Sequence, residues 1–397
     1  MRRPVFLLFL GFVCLGGMAV QSAPFTKAQL CQLIGNAEAA DNGRSRQDLE
    51  GFTAHVTLRP PGQNWRIAVA EVTDPASQPL MQARVMPPCI TIEARLLRRD
   101  KGGEVVAIEV LGPDLTEVTA TEPQNPPVPA FEHNAHRPGT ALLAHVDTGI
   151  NYLLPGLRAH IATDRDGGLV GYDFWDGDER PFDVDPRRNP FFPQHHGTTV
   201  FSVLAREAPK AGIAVYRFPA NEMCRFADLV EHMASHGVRV ANMSMGSRKA
   251  SDWRCFEDAA KRNPQILFIV SSGNDGNDID KTPIYPASLT LRNMLVVTSS
   301  DSFGRLGRGS NMGAMSVDVM VPAERIEVLD HRGARAVTGG TSYAAPRVAA
   351  LATRFLMANP DADTQGIIAF ILSRTIGAPG VPLAHGWIPD PTDDFGF

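Results

Sequence analysis

From residue 140 onward, short apolar segments alternate with segments of helical periodicity, and this alternation limits the fold more than any other feature of the sequence. The apolar segments predict strands near 141–146, 213–217, 238–244, 266–271, 294–299 and 317–320. The periodic segments predict helices near 197–206, 226–236, 252–262, 342–357 and 364–373. Such alternation predicts an α/β fold of three layers, with a mostly parallel central sheet and helices on both faces.

The residues before this segment follow another pattern. A helix is predicted near Thr26–Ala40, and strands are predicted near 53–58, 65–72, 90–97 and 104–111. This indicates a small α+β unit over residues 23–121, and a proline-rich linker over residues 122–138 separates it from the α/β domain at 139–397. A chain of 397 residues is long enough for both.

The first 22 residues are typical of an export signal. Arg2 and Arg3 precede an apolar stretch from Val5 to Val20. An uncleaved membrane anchor is the alternative, although the apolar stretch is shorter than a typical spanning helix. We therefore expect a periplasmic or extracellular protein with no membrane association after removal of the signal.

Charge and cysteine content are consistent with export. The formal net charge is −5, and it becomes −7 once Arg2 and Arg3 are removed, which does not favour a nucleic-acid partner. Four cysteines remain after the signal, and an even number in an oxidising compartment indicates two disulfides. Three pairings exist. Proximity in sequence favours Cys31 with Cys89 and Cys224 with Cys255, and the absence of CxxC spacing gives no support for a cysteine zinc site.

Three polar residues follow or precede predicted elements in a way that suggests catalysis. Asp147 ends the first strand of the α/β domain, His196 precedes a helix, and Ser342 begins a helix after two glycines. Sites in open α/β sheets form at the carboxyl ends of strands. A serine hydroxyl needs a base beside it, and that base needs a group that orients it. Aspartate, histidine and serine at these points would supply such a set.

A fourth polar residue fits the same chemistry. Asn274 follows the apolar run at 266–270, where its amide could donate a hydrogen bond to an oxyanion together with the Ser342 backbone N–H. Taken singly, Ser342 could be an ordinary N-cap and Asn274 an ordinary turn residue.

These segments resemble those of the subtilisin-like serine proteases, and the resemblance covers roughly residues 138 to 390. The chain order of aspartate, histidine and serine is that of this family. By resemblance, Asp147 orients the imidazole, His196 is general base and then general acid, Ser342 attacks the peptide carbonyl, and Asn274 completes the oxyanion hole. The implied activity is that of a serine endopeptidase that needs no cofactor.

The resemblance also implies how substrate binds and what the N-terminal unit does. Ser244, Met245 and Gly246 are similar to the family's substrate-binding segment, which pairs with an extended peptide through backbone hydrogen bonds. The implied partners are polypeptide substrates. The N-terminal unit lies where the family commonly has a propeptide, which would act as an intramolecular inhibitor until it is removed. It could instead be a permanent accessory domain.

Several alternatives stay open at this point. The Asp147-Thr148-Gly149 tripeptide also marks aspartic proteases, and His195 competes with His196 as the base. The sequence departs from the family pattern at Phe201, Ser202 and Tyr343, without removal of a catalytic group. A catalytically silent protein with the same fold, used as a binding or scaffold protein, is the alternative function.

An acidic segment between the aspartate and histidine motifs could bind a metal. The candidate ligands are Asp173, Asp176 and Asp178, because hard carboxylate oxygens suit calcium. No EF-hand spacing is present, and a solvated acidic loop would look the same. The segment therefore indicates either a calcium site or a solvated loop.

Overall fold

The computed structural model describes residues 23–49, 51–131 and 142–397. The expected export signal at 1–22 and part of the expected linker, residues 132–141, lie outside these ranges. By its internal contacts the chain divides into two compact units, one ending at Glu122 and one beginning at Pro123. Among the described residues, no helix combines the length and the apolar character needed to cross a bilayer.

The N-terminal unit is one helix packed on a seven-stranded antiparallel sheet, whose strands neighbour one another in chain order. Its elements are α1 (Lys27–Glu38), β1 (Arg44–Leu49), β2 (Phe52–Arg59), β3 (Ile67–Thr73), β4 (Pro79–Met86), β5 (Ile90–Arg99), β6 (Val105–Leu111) and β7 (Val118–Pro123). The helix begins at a capping box, in which the Thr26 hydroxyl accepts a hydrogen bond from the Gln29 amide at 3.3 Å. Leu30, Leu33 and Ile34 form the buried face of α1.

The C-terminal unit is built on an eight-stranded sheet in which all neighbouring strands are parallel. Its elements are β8 (Leu142–Asp147), α2 (Pro155–Arg158), β9 (Gly171–Asp173), α3 (Gly197–Glu207), β10 (Gly212–Arg217), α4 (Phe226–Ser235), β11 (Val238–Met243), α5 (Arg254–Arg262), β12 (Leu267–Ser271), β13 (Met294–Ser300), β14 (Val319–Pro322), β15 (Ile326–Leu329), β16 (Arg335–Thr338), α6 (Thr341–Ala358), α7 (Thr364–Ser373) and β17 (Gly386–Trp387). The strand order is β17-β14-β13-β12-β11-β8-β10-β9, while β15 and β16 form a separate antiparallel hairpin.

Alternate residues of the central strands face different helical layers. In β12, Leu267 and Ile269 belong to the apolar core shared with α3, α6 and α7. Phe268 and Val270 belong to the core shared with α4 and α5. Every residue of β12 is buried, as expected for a parallel strand covered on both faces. The three-layer α/β fold predicted from the sequence is confirmed.

Two disulfides are present, one in each unit. Cys31 pairs with Cys89 at a Cα–Cα distance of 5.7 Å, and Cys224 pairs with Cys255 at 5.0 Å. These are the two pairings that sequence proximity favours.

Candidate active site

Three adjacent strands end at the same edge of the parallel sheet. In the strand order β8 lies beside β11, and β11 lies beside β12. Asp147 is the last residue of β8, residues 244–246 follow β11, and residues 272–274 follow β12. The carboxyl edge of the sheet therefore gathers the predicted site segments, as is general for open α/β sheets.

Asp147 and His196 are in direct contact. The Nδ1 atom of His196 lies 2.7 Å from Oδ1 of Asp147, whose side chain is almost fully buried. Two glycines permit this approach of β8 and α3. A Cβ atom on Gly197 would lie 2.0 Å from the carbonyl oxygen of Gly149, and Gly149 itself has a φ of +105°. Both motifs thus need glycine for packing, not only for turning.

The carboxylate of Asp147 sets the electrostatics of the imidazole. Desolvation alone would lower the pKa of His196, but the charge of Asp147 and its hydrogen bond, with a contribution from Asp183, raise it overall. The Thr148 amide donates to the same Oδ1 at 2.7 Å and fixes the carboxylate. A neutral His196 that carries its proton on Nδ1 and donates it to Asp147 presents Nε2 as an acceptor.

Asp183 accepts hydrogen bonds from a residue next to Asp147 and from the start of α3. It is fully buried, and it accepts hydrogen bonds from the Thr148 hydroxyl at 2.6 Å and the Thr198 amide at 2.8 Å. The amides of His196 and Gly197 also donate to it, at 3.2 and 3.3 Å. Burial would raise the pKa of Asp183, but His331, His195 and Thr148 together hold it well below its usual range. The carboxylate thus caps the N-terminus of α3, where negative charge is favoured.

Ser342 is the second residue of α6 and is half-buried. The Ser244 hydroxyl donates to the Ser342 carbonyl oxygen at 2.9 Å. The hydroxyls of Tyr343 and Thr199 lie 3.0 Å apart and join α6 to α3. The ring of Tyr343 lies 6.2 Å from that of His196, centroid to centroid. The structure thus brings the start of α6 beside the start of α3.

Asn274 lies against the turn before Ser342. Its Oδ1 accepts hydrogen bonds from the Thr341 amide at 2.9 Å and the Thr341 hydroxyl at 3.1 Å. Since the oxygen is occupied by Thr341, the amide NH₂ is directed elsewhere as a donor. Gly340, with a φ of +121°, passes so close that a Cβ would lie 3.0 Å from this oxygen.

The predicted substrate-binding segment leaves the sheet after β11. Ser244 is buried, Met245 is partly buried and Gly246 is exposed. The next residue, Ser247, forms two backbone hydrogen bonds with Tyr285, each of 2.8 Å. This pairing fixes the far end of the segment.

The two adjacent histidines have different partners. The Nδ1 atom of His195 lies 2.6 Å from the backbone oxygen of Asp183, and its ring stacks on that of His331 with centroids 3.6 Å apart. His196, not His195, contacts Asp147. The parallel α/β sheet also rules out the all-β aspartic protease interpretation.

The carboxylates suggested as calcium ligands are bound to arginines. The Arg217 guanidinium lies 2.9 Å from Asp173 and 2.5 Å from Asp176. Asp178 pairs with Arg180 at 2.6 Å. Each of these three carboxylates thus has an arginine partner, and the expectation of calcium stays a prediction.

The sequence did not single out Thr148, Asp183 or His331 as part of the site. Asp183 and His331 are 148 positions apart in the chain and meet only through the fold. No spacing signal connects them. Thr148 lies in the Asp147-Thr148-Gly149 tripeptide, but the sequence does not show that its amide donates to Asp147.

Comparisons with known proteins agree with this fold. Residues 140–387 match a family model described as "Subtilase family". A thermophilic serine proteinase of Bacillus sp. (strain AK1) is 30% identical over 227 residues, which cover 53% of this chain and 50% of that protein. The halolysin-like extracellular serine protease Nep of Natrialba magadii is 26% identical over 235 residues, which cover 55% of this chain and 40% of that protein. The chain spans half or less of the length of these relatives.

A solved structure shows the same fold. A cold adapted subtilisin-like serine proteinase has a TM-score of 0.52 at 22% identity, covering 65% of this chain and 91% of that one. The fold and the arrangement at the sheet edge define a protein of the subtilisin-like α/β class. Because the family model matches more than half of the residues, the chain belongs to the subtilase family of serine peptidases.

Proposed function

We propose that this chain is an exported serine endopeptidase with Asp147, His196 and Ser342 as its catalytic triad and Asn274 in its oxyanion hole. The observation that carries the proposal is the 2.7 Å contact between His196 Nδ1 and Asp147 Oδ1, made next to the helix start that bears Ser342. The amide of Asn274 is oriented at the same helix start by Thr341.

In this mechanism, Ser342 Oγ attacks the peptide carbonyl carbon and its proton passes to Nε2 of His196. His196 keeps its Nδ1 proton and donates it to the Asp147 carboxylate, whose negative charge stabilises the imidazolium. The oxyanion accepts hydrogen bonds from the Ser342 backbone N–H and the Asn274 amide, at the positive end of the α6 dipole. His196 then protonates the leaving amine, and an acyl-enzyme remains on Ser342. Water then attacks the acyl carbon while its proton passes to Nε2 of His196. The ester bond breaks, and His196 returns the proton to Ser342 Oγ.

The substrate class follows from the site. Ser244, Met245 and Gly246 continue from a sheet strand at the site, where an extended polypeptide can add backbone hydrogen bonds. We expect cleavage within flexible or unfolded segments of polypeptide.

Export and processing form the remaining part of the proposal. The N-terminal residues are typical of a signal, disulfides are present, and one relative is named as an extracellular protease. The N-terminal unit has its own core and would be a propeptide that inhibits the peptidase intramolecularly. If it is removed by self-cleavage, Ser342→Ala will accumulate as the precursor.

A fluorophosphonate probe, which labels activated serines covalently, tests the proposal directly. We expect labelling of the wild type, loss of labelling in Ser342→Ala, and normal labelling in Ser235→Ala, an exposed control serine. His196→Ala and Asp147→Asn should lower turnover by several orders of magnitude because the triad acts as a unit.

Three outcomes would contradict the proposed function or its assigned residues. No labelling of folded, processed wild type would favour the silent scaffold. Labelling that survives in Ser342→Ala would place the nucleophile elsewhere. Wild-type turnover in folded His196→Ala would remove this histidine from the mechanism.

A further inference from the structure

A second cluster of titratable side chains lies beside the proposed triad, and its two histidines take no part in the proposed mechanism. It consists of Asp183, His195 and His331, the last from the turn between β15 and β16. One potential ligand atom from each residue lies within 4.8 Å of the others. The Asn151 amide donates to the His331 carbonyl oxygen at 2.7 Å and holds the hairpin turn in place.

The distance between the Asp183 carboxylate and the His331 ring is longer than a hydrogen bond. Oδ2 of Asp183 and Nδ1 of His331 are 3.6 Å apart, which is too long for a hydrogen bond. Within the part of the chain that the structure describes, this buried Nδ1 has no hydrogen-bond partner. Two ligands bound to one metal at about 2.0–2.1 Å and the tetrahedral angle are about 3.4 Å apart. The observed spacing thus suits two ligands of one ion better than a direct contact.

The orientation of His195 also suits a ligand. Its Nδ1 lies 2.6 Å from the Asp183 carbonyl oxygen, so this nitrogen carries the proton and donates. Nε2 then holds the lone pair. A histidine that binds a metal usually donates its other N–H to a carbonyl or carboxylate in this way.

The carboxylate has capacity for an ion. Oδ1 of Asp183 accepts from the Thr148 hydroxyl and the His196 and Gly197 amides, whereas Oδ2 accepts from the Thr198 amide. A carboxylate oxygen has two lone pairs. Oδ2 can therefore bind an ion while both oxygens keep capping α3.

We propose that Asp183, His195 and His331 form a binding site for a divalent transition metal of the zinc type. One carboxylate and two neutral imidazoles are a donor set that zinc accepts, with water in the fourth position. Two nitrogen ligands disfavour calcium and magnesium, which prefer oxygen. In the structure the two rings are stacked with an interplanar angle of 14°, so one ring must tilt out of the stack before both lone pairs aim at one ion. Both imidazoles are partly exposed, which gives an ion access.

Occupancy of this site ties together three segments: the β15–β16 hairpin, the loop that holds Asp183, and the residue just before His196. Binding only to the folded state stabilises that state by RT ln(1 + c/Kd), where c is the free metal concentration, so the stabilisation rises with the logarithm of that concentration. We therefore expect zinc to raise the melting temperature of the wild type.

The test uses the full chain in a Ser342→Ala background, purified without a histidine tag and treated with a chelator. Zn²⁺ binding is measured by equilibrium dialysis with elemental analysis, and Co²⁺ is used as a spectroscopic probe. We expect one zinc per chain, a visible spectrum of tetrahedral Co²⁺, and affinity at least about 100-fold weaker in His331→Ala and His195→Ala. His385→Ala is the matched control, because His385 faces Asp318 at 3.9 Å and, among the described residues, belongs to no cluster of three potential metal ligands.

The results separate the alternatives. Absence of stoichiometric binding, or equal binding in His331→Ala, would overturn the site. If His331→Ala does not fold, His331→Gln and the Co²⁺ spectrum of the parent chain decide in its place. Triad activity is not read in this experiment, so its outcome is independent of the proposed function.

Discussion

At the residue scale, the buried side chain of Arg217 joins several segments around β9. It is only 2% exposed, and it bonds Asp173, Asp176 and the carbonyl oxygen of Val184. Its guanidinium carbon also lies 4.4 Å from the centre of the Trp175 ring. Removing one partner of a buried ion pair leaves an uncompensated charge, which costs more than the pair itself contributes.

Replacement of this arginine should therefore destabilise the fold strongly. We expect Arg217→Met to lower the free energy of unfolding by about 3–5 kcal/mol at neutral pH, measured by urea denaturation of inactive chains. Burial raises the pKa of Asp173 to about 6 even though Arg217 lowers it, so without Arg217 the carboxyl takes up a proton at a higher pH, and the loss should shrink as the pH falls towards 6. Arg305→Met, at an exposed pair with Asp301, is the control and should change stability by less than about 0.5 kcal/mol. A loss in Arg217→Met as small as that of the control would refute this account.

Asn274 provides a prediction about rate. Loss of one oxyanion donor lowers kcat by about 10²–10³ in enzymes that use one. We expect this loss in Asn274→Ala with little change in KM, because the donor acts on the transition state more than on bound substrate. Asp275→Ala, a neighbouring exposed residue, is the control, and steady-state kinetics on a peptide substrate provide the measurement. A change confined to KM would assign Asn274 to substrate binding instead.

At the element scale, helix α4 contains a histidine in an aromatic environment. His232 contacts the rings of Tyr172, Phe174, Tyr216 and His236, and its Nδ1 lies 3.1 Å from the Tyr216 hydroxyl. Burial, with a contribution from His236, lowers the pKa of His232 to about 4. The folded state therefore keeps this imidazole neutral under conditions where the unfolded chain protonates it.

The sign of the pH effect follows from this difference. Because the folded pKa lies below the unfolded value of 6.5, the contribution to stability is complete above 6.5 and is lost as the pH falls towards 4. His232→Gln should flatten the fall in unfolding free energy over this window, whereas His55→Gln at an exposed position should not. Urea unfolding at several pH values measures both slopes. Parallel curves for wild type and His232→Gln would disprove the assignment.

The elements also show what sequence patterns can and cannot predict. The helices α3, α4, α6 and α7 were predicted within one or two residues, because each has a continuous apolar face. Strand β1 was missed because Arg44–Leu49 is polar and lies at a sheet edge, where side chains need not be buried. The β15–β16 hairpin was missed because its strands have only four residues each.

Some residues of the site could likewise be predicted from the sequence, and others could not. Asp147, His196 and Ser342 stand in short motifs whose glycines record close backbone approach, so sequence alone could indicate them. Asp183 and His331 are ordinary residues in irregular segments, and their meeting depends on how the hairpin lies against α3. Such contacts carry no periodic or local signal.

At the scale of the whole molecule, two cores of different topology follow one another along the chain. In the N-terminal sheet each strand pairs with its sequence neighbour, whereas the C-terminal sheet places β8 between β10 and β11 and β17 beside β14. Pairing of distant segments slows folding, since loop closure must precede the contact. We expect the N-terminal sheet to regain hydrogen-exchange protection before the C-terminal sheet during refolding, as pulse labelling would measure. Simultaneous protection would contradict this order.

The Cys31–Cys89 disulfide gives the last prediction, which concerns the stability of the N-terminal unit. It closes a loop with a sequence separation of 58 residues and ties α1 to the turn between β4 and β5. Closing a loop of this length restricts the unfolded chain, and native disulfides typically contribute about 2–4 kcal/mol. The double variant Cys31→Ser with Cys89→Ser should lose protection from hydrogen exchange in β2–β5 by the corresponding free energy. Cys224→Ser with Cys255→Ser, which opens the other disulfide, is the control because neither cysteine lies in this unit. Unchanged exchange in β2–β5 would mean that the α1–sheet core holds this unit without its covalent link.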